Sequence, residues 1–338
     1  MKAYVLSEPG KGVEALKLET RPDPAPGRGQ VAIAVRAASL NYRDLMQAKG
    51  MYPGLPQRPF IPLSDGSGEV VAVGEGVSEF KPGDRVAGNF FQNWISGPAQ
   101  PASFRGSDLG GTLDGMLAEK VVLNAGGVVR IPSSLTHEEA ATLPCAGLTA
   151  WHALFEETAP LKPGATVLTL GTGGVSIFAF QFAKTAGLQV VGTSSTESKL
   201  ERMRKLGFDH VINYKTTPEW QKEVREFTEG RGADHVVEVA GATLERSLQA
   251  VRYGGAVDLI GGVAGWTAQV PLTSLMMSGA RVRTIAVGSV AMFNAMNRAI
   301  EVHHIKPVID EVFSFDRARD ALAKLESGTH FGKIVIRI

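Results

Sequence analysis

Residues 165–176 read ATVLTLGTGGVS and decide how the second half of the chain is organised. The apolar run ATVLTL is typical of a buried strand, and the stretch VSIFAFQFAKTAG that follows predicts a helix ending at Gly187. Between them, Gly171 permits a tight turn and Gly173 lets the backbone approach a pyrophosphate at the helix N-terminus. Ser176 stands at the third position of G-x-G-x-x-G, so the strand–turn–helix context carries the prediction of a dinucleotide site.

The segments after this turn alternate between short β-branched runs and helical patterns. Strands are predicted at LQVVGT, HVIN, ADHVVEVA, AVDLIGG and RVRTIAVG, with helices between them. Together with ATVLTL they give six strands in βα order, which is typical of one doubly wound parallel sheet of the Rossmann type. The sequence therefore predicts an α/β protein.

The first part of the chain is predicted to be rich in strands. KAYVL, QVAIAVRAASL, GEVVAVG, DRVAG and AEKVVL are β-branched runs separated by Pro- and Gly-rich turns, and NYRDLMQAKG has helical spacing. The tail predicts a helix, a second short helix and a final strand, FGKIVIRI. We predict a β-rich domain over 1–130, a Rossmann domain over 131–289, and a segment over 290–338 that returns to the first domain.

Composition excludes several classes of partner. A net charge of +1 over 338 residues gives no excess of positive charge that would attract nucleic acid or an anionic membrane. No apolar run is long enough to span a bilayer, and the start does not resemble a signal peptide. The single cysteine, Cys145, cannot form an internal disulfide, so we expect a reducing cytosol. These features favour a cytoplasmic protein that acts on a small molecule.

The end of the second predicted strand indicates which cofactor binds. NAD-specific sheets place an acidic residue there against the ribose 2′-hydroxyl, whereas this chain has hydroxyl residues, including Ser194. Lys199 follows in the next helix, and Tyr214 follows the third strand. A lysine and hydroxyl groups can accept a 2′-phosphate that an acid would repel, so these residues favour NADP(H).

The irregular stretch over 88–115 has two interpretations. Loops of this length are uncommon in compact domains unless they are functional. Its aromatic residues either line a substrate pocket or anchor the loop to its own domain: Phe90, Phe91, Trp94 and Phe104.

IPLSDGSGEVVAVGEGVSEFKPGDRV, LPCAGLTAWHAL, LTLGTGGVSIFAFQFAK and FGKIVIRI occur in this order, and together they resemble the medium-chain dehydrogenase/reductase superfamily. The resemblance implies a GroES-like catalytic domain joined to a Rossmann domain, with substrate and nicotinamide in the cleft between them. It also places Asn41, Ser64 and Cys145 where zinc-dependent members carry their catalytic ligands. Only one of these is a soft ligand, and the 88–115 loop lacks the cysteines of a structural zinc site. His303 and His304 are adjacent on a predicted helix and point apart, so we expect no metal.

LNYRDL, the Tyr52 segment KGMYPG and INYK resemble the zinc-independent quinone oxidoreductase subfamily, also called zeta-crystallin-like. That resemblance implies reduction by NADPH of quinones or of the C=C bond of α,β-unsaturated carbonyl compounds. It makes Tyr52 and Asn41 the candidate catalytic residues, as hydrogen-bond donors to a carbonyl oxygen. The implied cofactor contacts are Thr149, Gly171, Gly173, Gly174, Val175, Ser194, Lys199, Tyr214, Gly262, Val263, Gly288 and Ser289.

Several alternatives stay open from the sequence. The chain could be an alcohol dehydrogenase, a protein that holds NADPH without catalysis, or an NADPH sensor with a protein partner. Arg43 and Asp44 either form a local ion pair or contact the cofactor, and Lys333 either reaches the cleft or flanks the last strand. The strand RVRTIAVG is a natural sheet edge, and the resemblance implies a homodimer through it.

Overall fold

The computed structural model describes residues 1–56, 58–156 and 160–338. These residues form two compact units, one made of Met1–Leu148 with Val287–Ile338 and the other of Thr149–Ala286. No helix within the described ranges is both long and apolar enough to cross a membrane.

The strands of the described chain, numbered in chain order, are β1 Lys2–Leu6, β2 Leu16–Thr20, β3 Gln30–Ser39, β4 Asp65–Val73, β5 Arg85–Gly88, β6 Lys120–Asn124, β7 Val128–Arg130, β8 Thr166–Leu170, β9 Gln189–Ser194, β10 His210–Asn213, β11 Ala233–Glu238, β12 Val251–Leu259, β13 Arg281–Thr284, β14 Ile309–Ser314 and β15 Lys333–Arg337. The α-helices are α1 Tyr42–Ala48, α2 Pro101–Phe104, α3 His137–Ala140, α4 Leu148–Phe155, α5 Gly174–Thr185, α6 Glu197–Leu206, α7 Trp220–Phe227, α8 Leu244–Ala250, α9 Leu272–Ser278, α10 Val290–His303 and α11 Ala318–Glu326.

The second unit is built on a parallel sheet. Its described strands run in the order β10-β9-β8-β11-β12-β13, and each neighbouring pair is parallel. The strands are apolar on both faces because helices cover both sides, and Leu168, Val191, Val236 and Val257 are fully buried. The predicted Rossmann sheet is confirmed, with the order reversal next to β8 that creates a crevice for a ligand.

The first unit is built on antiparallel strands. Its larger sheet runs β14-β15-β3-β4-β5-β7, with β6 also paired to β3, and β1 pairs with β2. The tail after Val287 lies in this unit because β15 pairs antiparallel with β3 through Val335 and Ser39. This is the GroES-like part of the predicted fold, and β15 carries Lys333 into its interior.

Residues 131–148 have their contacts in the first unit, although we predicted them as the start of the Rossmann domain. Ser67 Oγ lies 2.7 Å from His137 Nδ1, and Cys145 N–H donates to Asp65 Oδ2 at 3.2 Å, so both ends of the segment attach to β4. The helix α3 ends at Ala140, and the chain continues as a wider π-helical turn over Leu143–Gly147, whose first turn holds Pro144, a residue without an N–H. The division into three domains stays a prediction.

Several described elements were missed by the sequence analysis, among them the strands β2, β7 and β14 and the helix α9. The helix α9 exposes Leu272, Met276 and Met277, so its apolar residues do not follow the pattern of a helix packed on a core. The strand β14 has two adjacent acidic residues in IDEVFS and lies between α10 and α11, the two helices predicted for the tail. It gains its partner only from β15, more than 20 residues later.

Candidate functional site

The glycine turn of the second unit joins β8 to α5. Gly171 has φ +74°, a left-handed conformation that glycine adopts without steric cost, and its N–H donates to Thr193 Oγ1 at 3.2 Å. Gly173 caps α5 with φ −76° and ψ 177°, and a Cβ added there would meet no atom within 4 Å. The turn therefore presents open space at a helix N-terminus, where a phosphate group is favoured.

Ser176 replaces the third glycine of the motif without disturbing the turn. It is buried in the first turn of α5, and its hydroxyl donates to Leu170 O at 2.7 Å. The hydroxyl bonds to the last carbonyl of β8, so the serine ties the helix to the strand. The incomplete sequence motif therefore still gives the strand–turn–helix geometry that was predicted.

The residues predicted to contact a 2′-phosphate follow the carboxyl ends of the neighbouring strands β9 and β10. Asn213 pairs with Ser194 across β10 and β9, and Tyr214 N–H donates to Ser194 O at 3.0 Å. Lys199 lies in the first turn of α6, after the same strand end. Glu197, the nearest acid, pairs with Arg204 at 2.6 Å.

Glu238 and Trp266 lie at the carboxyl ends of the strands on the other side of β8, since Glu238 ends β11 and Trp266 follows β12. The buried carboxylate of Glu238 accepts hydrogen bonds from Ala240 N at 2.8 Å and Gly241 N at 3.0 Å, which fixes the turn after β11. Trp266 lies against Gly262, where an added Cβ would come within 2.6 Å of the indole. A cavity of about 440 Å³ opens here. Its lining includes Leu259, Gly261, Trp266, Thr284 and Ile285.

In the first unit, Asn41 caps α1. Its N–H donates to Asp44 Oδ2 at 2.7 Å, and its Oδ1 accepts from Lys333 Nζ at 2.7 Å. Its Nδ2 is buried, and a hydrogen bond from the Asn41 side chain lowers the pKa of Asp65 against the effect of burial. Burial raises the pKa of the Asp44 carboxyl to about 7.

Asp65 is the centre of a buried polar cluster. It accepts from Ser64 Oγ at 2.7 Å and from Cys145 N at 3.2 Å, and Lys333 Nζ lies 3.8 Å from its Oδ2. Its side chain is fully buried, and this burial raises its pKa while Lys333 acts in the opposite direction. The cluster therefore joins the three positions Asn41, Ser64 and Cys145.

Tyr52 stands beside a buried guanidinium. Arg43 lies with its Cζ 5.1 Å from the centre of the Tyr52 ring and 4.5 Å from that of Phe90, and it donates to Asp108 Oδ2 at 2.8 Å. The guanidinium thus turns to the 88–115 loop and pairs with Asp108 instead of Asp44, and contact of Arg43 with a cofactor stays a prediction. Burial raises the pKa of Tyr52, so its hydroxyl keeps its proton at neutral pH and can donate a hydrogen bond.

The aromatic residues of the 88–115 loop pack on one another, and two of them also line a cavity. Trp94 and Phe104 pack edge to face with ring centres 5.5 Å apart, and Phe91 packs on Phe104 at 4.8 Å, so these rings anchor the loop. Phe90 and Phe91 also line a cavity of about 200 Å³ together with Tyr52. This cavity is a candidate substrate pocket.

Comparison with known proteins gives the family. Residues 27–133 match the alcohol dehydrogenase GroES-like domain, and residues 174–302 match the zinc-binding dehydrogenase domain. A zinc-type alcohol dehydrogenase-like protein of Schizosaccharomyces pombe is 45% identical over 343 positions, which cover 99% of each chain. The chain belongs to the medium-chain dehydrogenase/reductase family. It is thus an oxidoreductase that uses a nicotinamide cofactor.

Other members show the range of this family. A chloroplastic quinone-oxidoreductase of Triphysaria versicolor is 32% identical, with 99% of this chain and 98% of that protein covered. A candidate alcohol dehydrogenase of Sinorhizobium meliloti 1021 superposes with a TM-score of 0.90 at 41% identity, and a mycobacterial protein complexed with NADPH with a TM-score of 0.83 at 27% identity. Both structures are covered completely, as is this chain.

The residues at the zinc-ligand positions of this medium-chain dehydrogenase/reductase do not fit a zinc ion. Cys145 is the single soft ligand among the three residues, whereas a catalytic zinc ion needs about three protein ligands. Asn41 and Ser64 supply no imidazole or thiolate at the other two positions. Within the described residues, no group of three His, Cys, Asp or Glu side chains could hold a metal.

The other residues predicted to contact the cofactor are distributed over both units. Thr149 is buried at the start of the second unit. The N–H of Val263 already donates to Val239 O at 3.2 Å. Gly288 and Ser289 lie in the first unit, where Ser289 caps α10 and accepts from Met292 N at 3.2 Å. Their contacts with a cofactor stay predictions.

Sequence reasoning missed the buried charges around Asn41. Asp65 and Lys333 lie more than 260 residues apart in the sequence, so no local spacing links them. The available signal was weak: both are charged residues within otherwise apolar strand patterns, in SDGSGEVVAV and FGKIVIRI. A charge in such a position is rarely buried without a partner, so each predicts a buried ion pair without naming the partner.

Proposed function

We propose that the protein is an NADPH-dependent reductase that acts without zinc. Its substrates are quinones or compounds with a C=C bond conjugated to a carbonyl group. What supports this proposal is the cluster around Asp65, which joins Asn41, Ser64 and Cys145, the three residues that the resemblance aligns with the zinc ligands of other members. Without a Lewis acid, reduction of an isolated carbonyl loses its main stabilisation, whereas an enolate or phenolate needs only hydrogen-bond donors.

NADPH, when bound, supplies the hydride for the β-carbon of an enone or for a quinone. The Tyr52 hydroxyl and the Asn41 amide donate hydrogen bonds to the carbonyl oxygen, on which negative charge develops. One well-placed donor of this kind contributes on the order of 3 kcal/mol to the transition state. Tyr52 or water then provides the proton for the α-carbon, and the raised pKa of Tyr52 keeps that proton available at neutral pH.

The preference for NADPH rests on the strand end at Ser194. The bonded pair Ser194–Tyr214 and the cation of Lys199 offer donors to a 2′-phosphate, and Glu197 is held by Arg204. An acid at the strand tip would repel that phosphate. The mycobacterial relative with bound NADPH is consistent with this preference.

The function is tested by following NADPH and NADH oxidation over 1,4-quinones, enones, enoyl thioesters and saturated ketones, with metal content measured on the same sample. We expect turnover of the conjugated substrates with NADPH, no stoichiometric zinc and no effect of a chelator. Turnover of saturated ketones alone, abolished by the chelator, would show an alcohol dehydrogenase. Tight NADPH binding without oxidation of any compound would show a non-catalytic NADPH-binding protein.

Substitution of Lys199 tests the cofactor preference. Lys199→Ala removes the cation that pairs with the 2′-phosphate, so we expect kcat/KM with NADPH to fall roughly tenfold or more, at a cost of about 1.5–3 kcal/mol for a hydrogen bond to a charged group. The value with NADH, which lacks that phosphate, changes less than about twofold. Lys205→Ala on the same helix, where Lys205 pairs with Glu201 at 2.8 Å, is the control. Equal losses with both cofactors would contradict the assignment.

Substitution of Cys145 tests the absence of metal chemistry. The thiol is protonated at neutral pH, and only the backbone N–H of Cys145 bonds to Asp65. Cys145→Ala keeps that N–H, so we expect reductase kcat within about threefold of wild type, an effect below 1 kcal/mol. A loss beyond about a hundredfold, about 2.7 kcal/mol, in a folded variant would show that the thiol takes part in the reaction.

We also propose a homodimer that forms through the edge strand β13. Large apolar side chains are exposed on β13 and on the elements next to it: Tyr253, Leu272, Met276, Met277 and Val282. Exposed apolar side chains of this size beside a free sheet edge favour pairing with a second copy. Light scattering on wild type and on Val282→Lys should give a dimer and a monomer, respectively.

The reducing cytosol expected from the single cysteine remains part of the proposal.

A further inference from the structure

Gln47 is a buried amide in the wall of the candidate substrate pocket. It lies one helical turn after Arg43 on α1, so the two side chains share a face of the helix. Both bond to the 88–115 loop. Arg43 Nη1 donates to Leu109 O at 2.8 Å. Gln47 Nε2 donates to Gly110 O, also at 2.8 Å, and this bond fixes the amide against the loop.

The bond to Gly110 also determines which way the amide points. Were the amide turned over, Gln47 Oε1 would face the Gly110 carbonyl oxygen at 2.8 Å, and two acceptors would oppose each other. The nitrogen of Gln47 is therefore held on the Gly110 side, and the oxygen points away from that carbonyl.

The amide oxygen is left without a partner. Gln47 is 1% exposed, and its Oε1 is buried and accepts no hydrogen bond from the described residues. A buried acceptor without a donor is costly, and such groups are uncommon in folded proteins unless a ligand or a water supplies the missing partner. Gln47 lines the same cavity as Tyr52, and with its nitrogen engaged the oxygen is the polar atom that it has left to offer there.

Asp108, another acceptor that lines this cavity, already has donors on both of its oxygens. Its Oδ2 accepts from Arg43 Nη2 at 2.8 Å, and its Oδ1 accepts from Thr112 Oγ1 at 2.6 Å. Gly111 packs closely on this ion pair, because an added Cβ there would lie 2.0 Å from Asp108 Oδ2. A donor on a ligand therefore finds an acceptor without other partners at Gln47.

The size and lining of the cavity limit the ligand. Its volume is about 200 Å³, somewhat more than the roughly 150 Å³ of an engineered cavity that binds benzene. It thus has room for one six-membered ring with a small substituent. Apolar residues form much of its wall, among them Pro53, Leu55 and Phe91, and they suit the carbon atoms of such a ring.

We propose that the substrate is a single-ring enone or quinone that carries a hydroxyl group, and that Gln47 Oε1 accepts a hydrogen bond from this hydroxyl. This specificity rests on the reductase function proposed above, in which Tyr52 donates to the substrate carbonyl. A hydroxyl brings one donor and matches the single free acceptor, whereas an ammonium group would bring three donors to a largely apolar wall. Gln47 is therefore a specificity-determining residue.

Kinetics on matched cyclic enones, with NADPH in excess, test this specificity. The 4-, 5- and 6-hydroxycyclohex-2-enones are each compared with the methyl ether at the same position and with unsubstituted cyclohex-2-enone. We expect kcat/KM of at least one hydroxy compound to exceed the values of both comparison compounds about 30-fold, because they leave the Gln47 oxygen unpaired. No preference for any of the three hydroxy compounds would overturn the proposal, since water would then satisfy the amide equally well.

Substitution of Gln47 assigns the preference to its oxygen. Gln47→Met keeps the length of the side chain and removes the acceptor, so we expect the preference to fall to within about threefold, while kcat/KM for cyclohex-2-enone changes less than about fivefold. Gln47→Glu should recover a large part of the preference at pH 6, where burial keeps its carboxyl protonated and able to donate to Gly110 O. An equal loss for all compounds in Gln47→Met, with the preference intact, would overturn the proposal.

Gln92→Met is the matched control. Gln92 is 2% exposed, its Nε2 donates to Asn89 O and Gly127 O, and its buried Oε1 also has no partner among the described residues. It does not line the candidate pocket, so the variant should keep the wild-type preference. Loss of the preference in this variant as well would show that the substitutions act through the loop, and would overturn the proposal. Gln47→Leu is used if Gln47→Met does not fold.

Binding of saturated analogues distinguishes failure of this inference from failure of the proposed function. The three isomeric hydroxycyclohexanones and their methyl ethers are titrated into the NADP⁺-loaded protein and followed by NMR. We expect the Kd of one hydroxy ketone to lie about tenfold below that of its ether in wild type, and the two to be equal in Gln47→Met. This pattern without turnover of any enone or quinone would overturn the proposed function and support the role of Gln47. Turnover of enones without a hydroxyl preference in either assay would overturn the role of Gln47 alone.

Discussion

A Gly173→Val variant is expected to fold like the wild type and to lose at least a hundredfold in NADPH affinity. The backbone at Gly173 has φ −76° and ψ 177°, a conformation open to any residue, and an added Cβ meets no atom within 4 Å. The unfolding free energy should therefore change by less than about 1 kcal/mol. In the complex, the branched side chain occupies the space where the pyrophosphate approaches the helix N-terminus, so binding loses several kcal/mol.

Calorimetric titration with NADPH and urea unfolding measure the two sides of this prediction. Gly126→Val is the control, because an added Cβ there meets only Ile95 at 3.6 Å in the first unit, and neither affinity nor stability should change appreciably. Gly171→Ala gives the converse comparison: at φ +74° it should destabilise the fold by about 1 kcal/mol through backbone strain. NADPH binding by Gly173→Val at wild-type affinity would refute the assignment of the glycine turn.

The second large effect is a pH-dependent gain of stability in Asp44→Asn. Burial raises the pKa of Asp44 from 3.8 to about 7 in the folded protein, so the folded state takes up a proton that the unfolded chain releases. Its contribution to stability is fully present below the unfolded pKa and is lost as the pH rises through about 7. Asparagine stays neutral throughout and still accepts the bond from Asn41 N–H.

We therefore expect the stability of Asp44→Asn relative to wild type to increase by roughly 2–3 kcal/mol between pH 5 and pH 8. Urea unfolding at several pH values gives this difference directly. Asp234→Asn is the matched control, since pairing with Arg231 and Arg252 keeps the pKa of Asp234 low against the effect of burial. That carboxyl is ionised in both states over the range, so its difference from wild type should not depend on pH. The same flat profile for Asp44→Asn would contradict the raised pKa.

Burial is the main cause of the raised pKa of Asp44, and the nearby charges modify it. Arg43, which pairs with Asp108 at 2.8 Å, still lowers the pKa of Asp44 more than Lys333 does. Lys333 Nζ bonds to Leu40 O and Asn41 Oδ1. The neighbouring carboxyl of Asp65 raises the pKa of Asp44 further, because ionising two buried carboxyls side by side is unfavourable.

The glycine turn and the sheet were predictable because their signals are local. The run ATVLTL and the glycines after it occupy twelve residues, and the alternation of strands and helices over 165–288 leaves one arrangement open to a chain that must bury both faces of a parallel sheet. The cluster around Asp65 was not predictable in this way. Its members come from β4, α1, β15 and the segment around Cys145, and only the folded first unit brings them together.

By itself, the sequence determined the class of fold, and it predicted a nucleotide site at Gly171 and Gly173 and no zinc ligand set at Asn41 and Ser64. These follow from residue type and short-range periodicity. The tertiary structure alone decided that Lys333 faces Asn41 Oδ1 at 2.7 Å, that Arg43 pairs with Asp108, and that the Asp44 carboxyl has a pKa of about 7. Burial and electrostatic interaction depend on which distant segments pack together, and that is a property of the folded chain rather than of any stretch of its sequence.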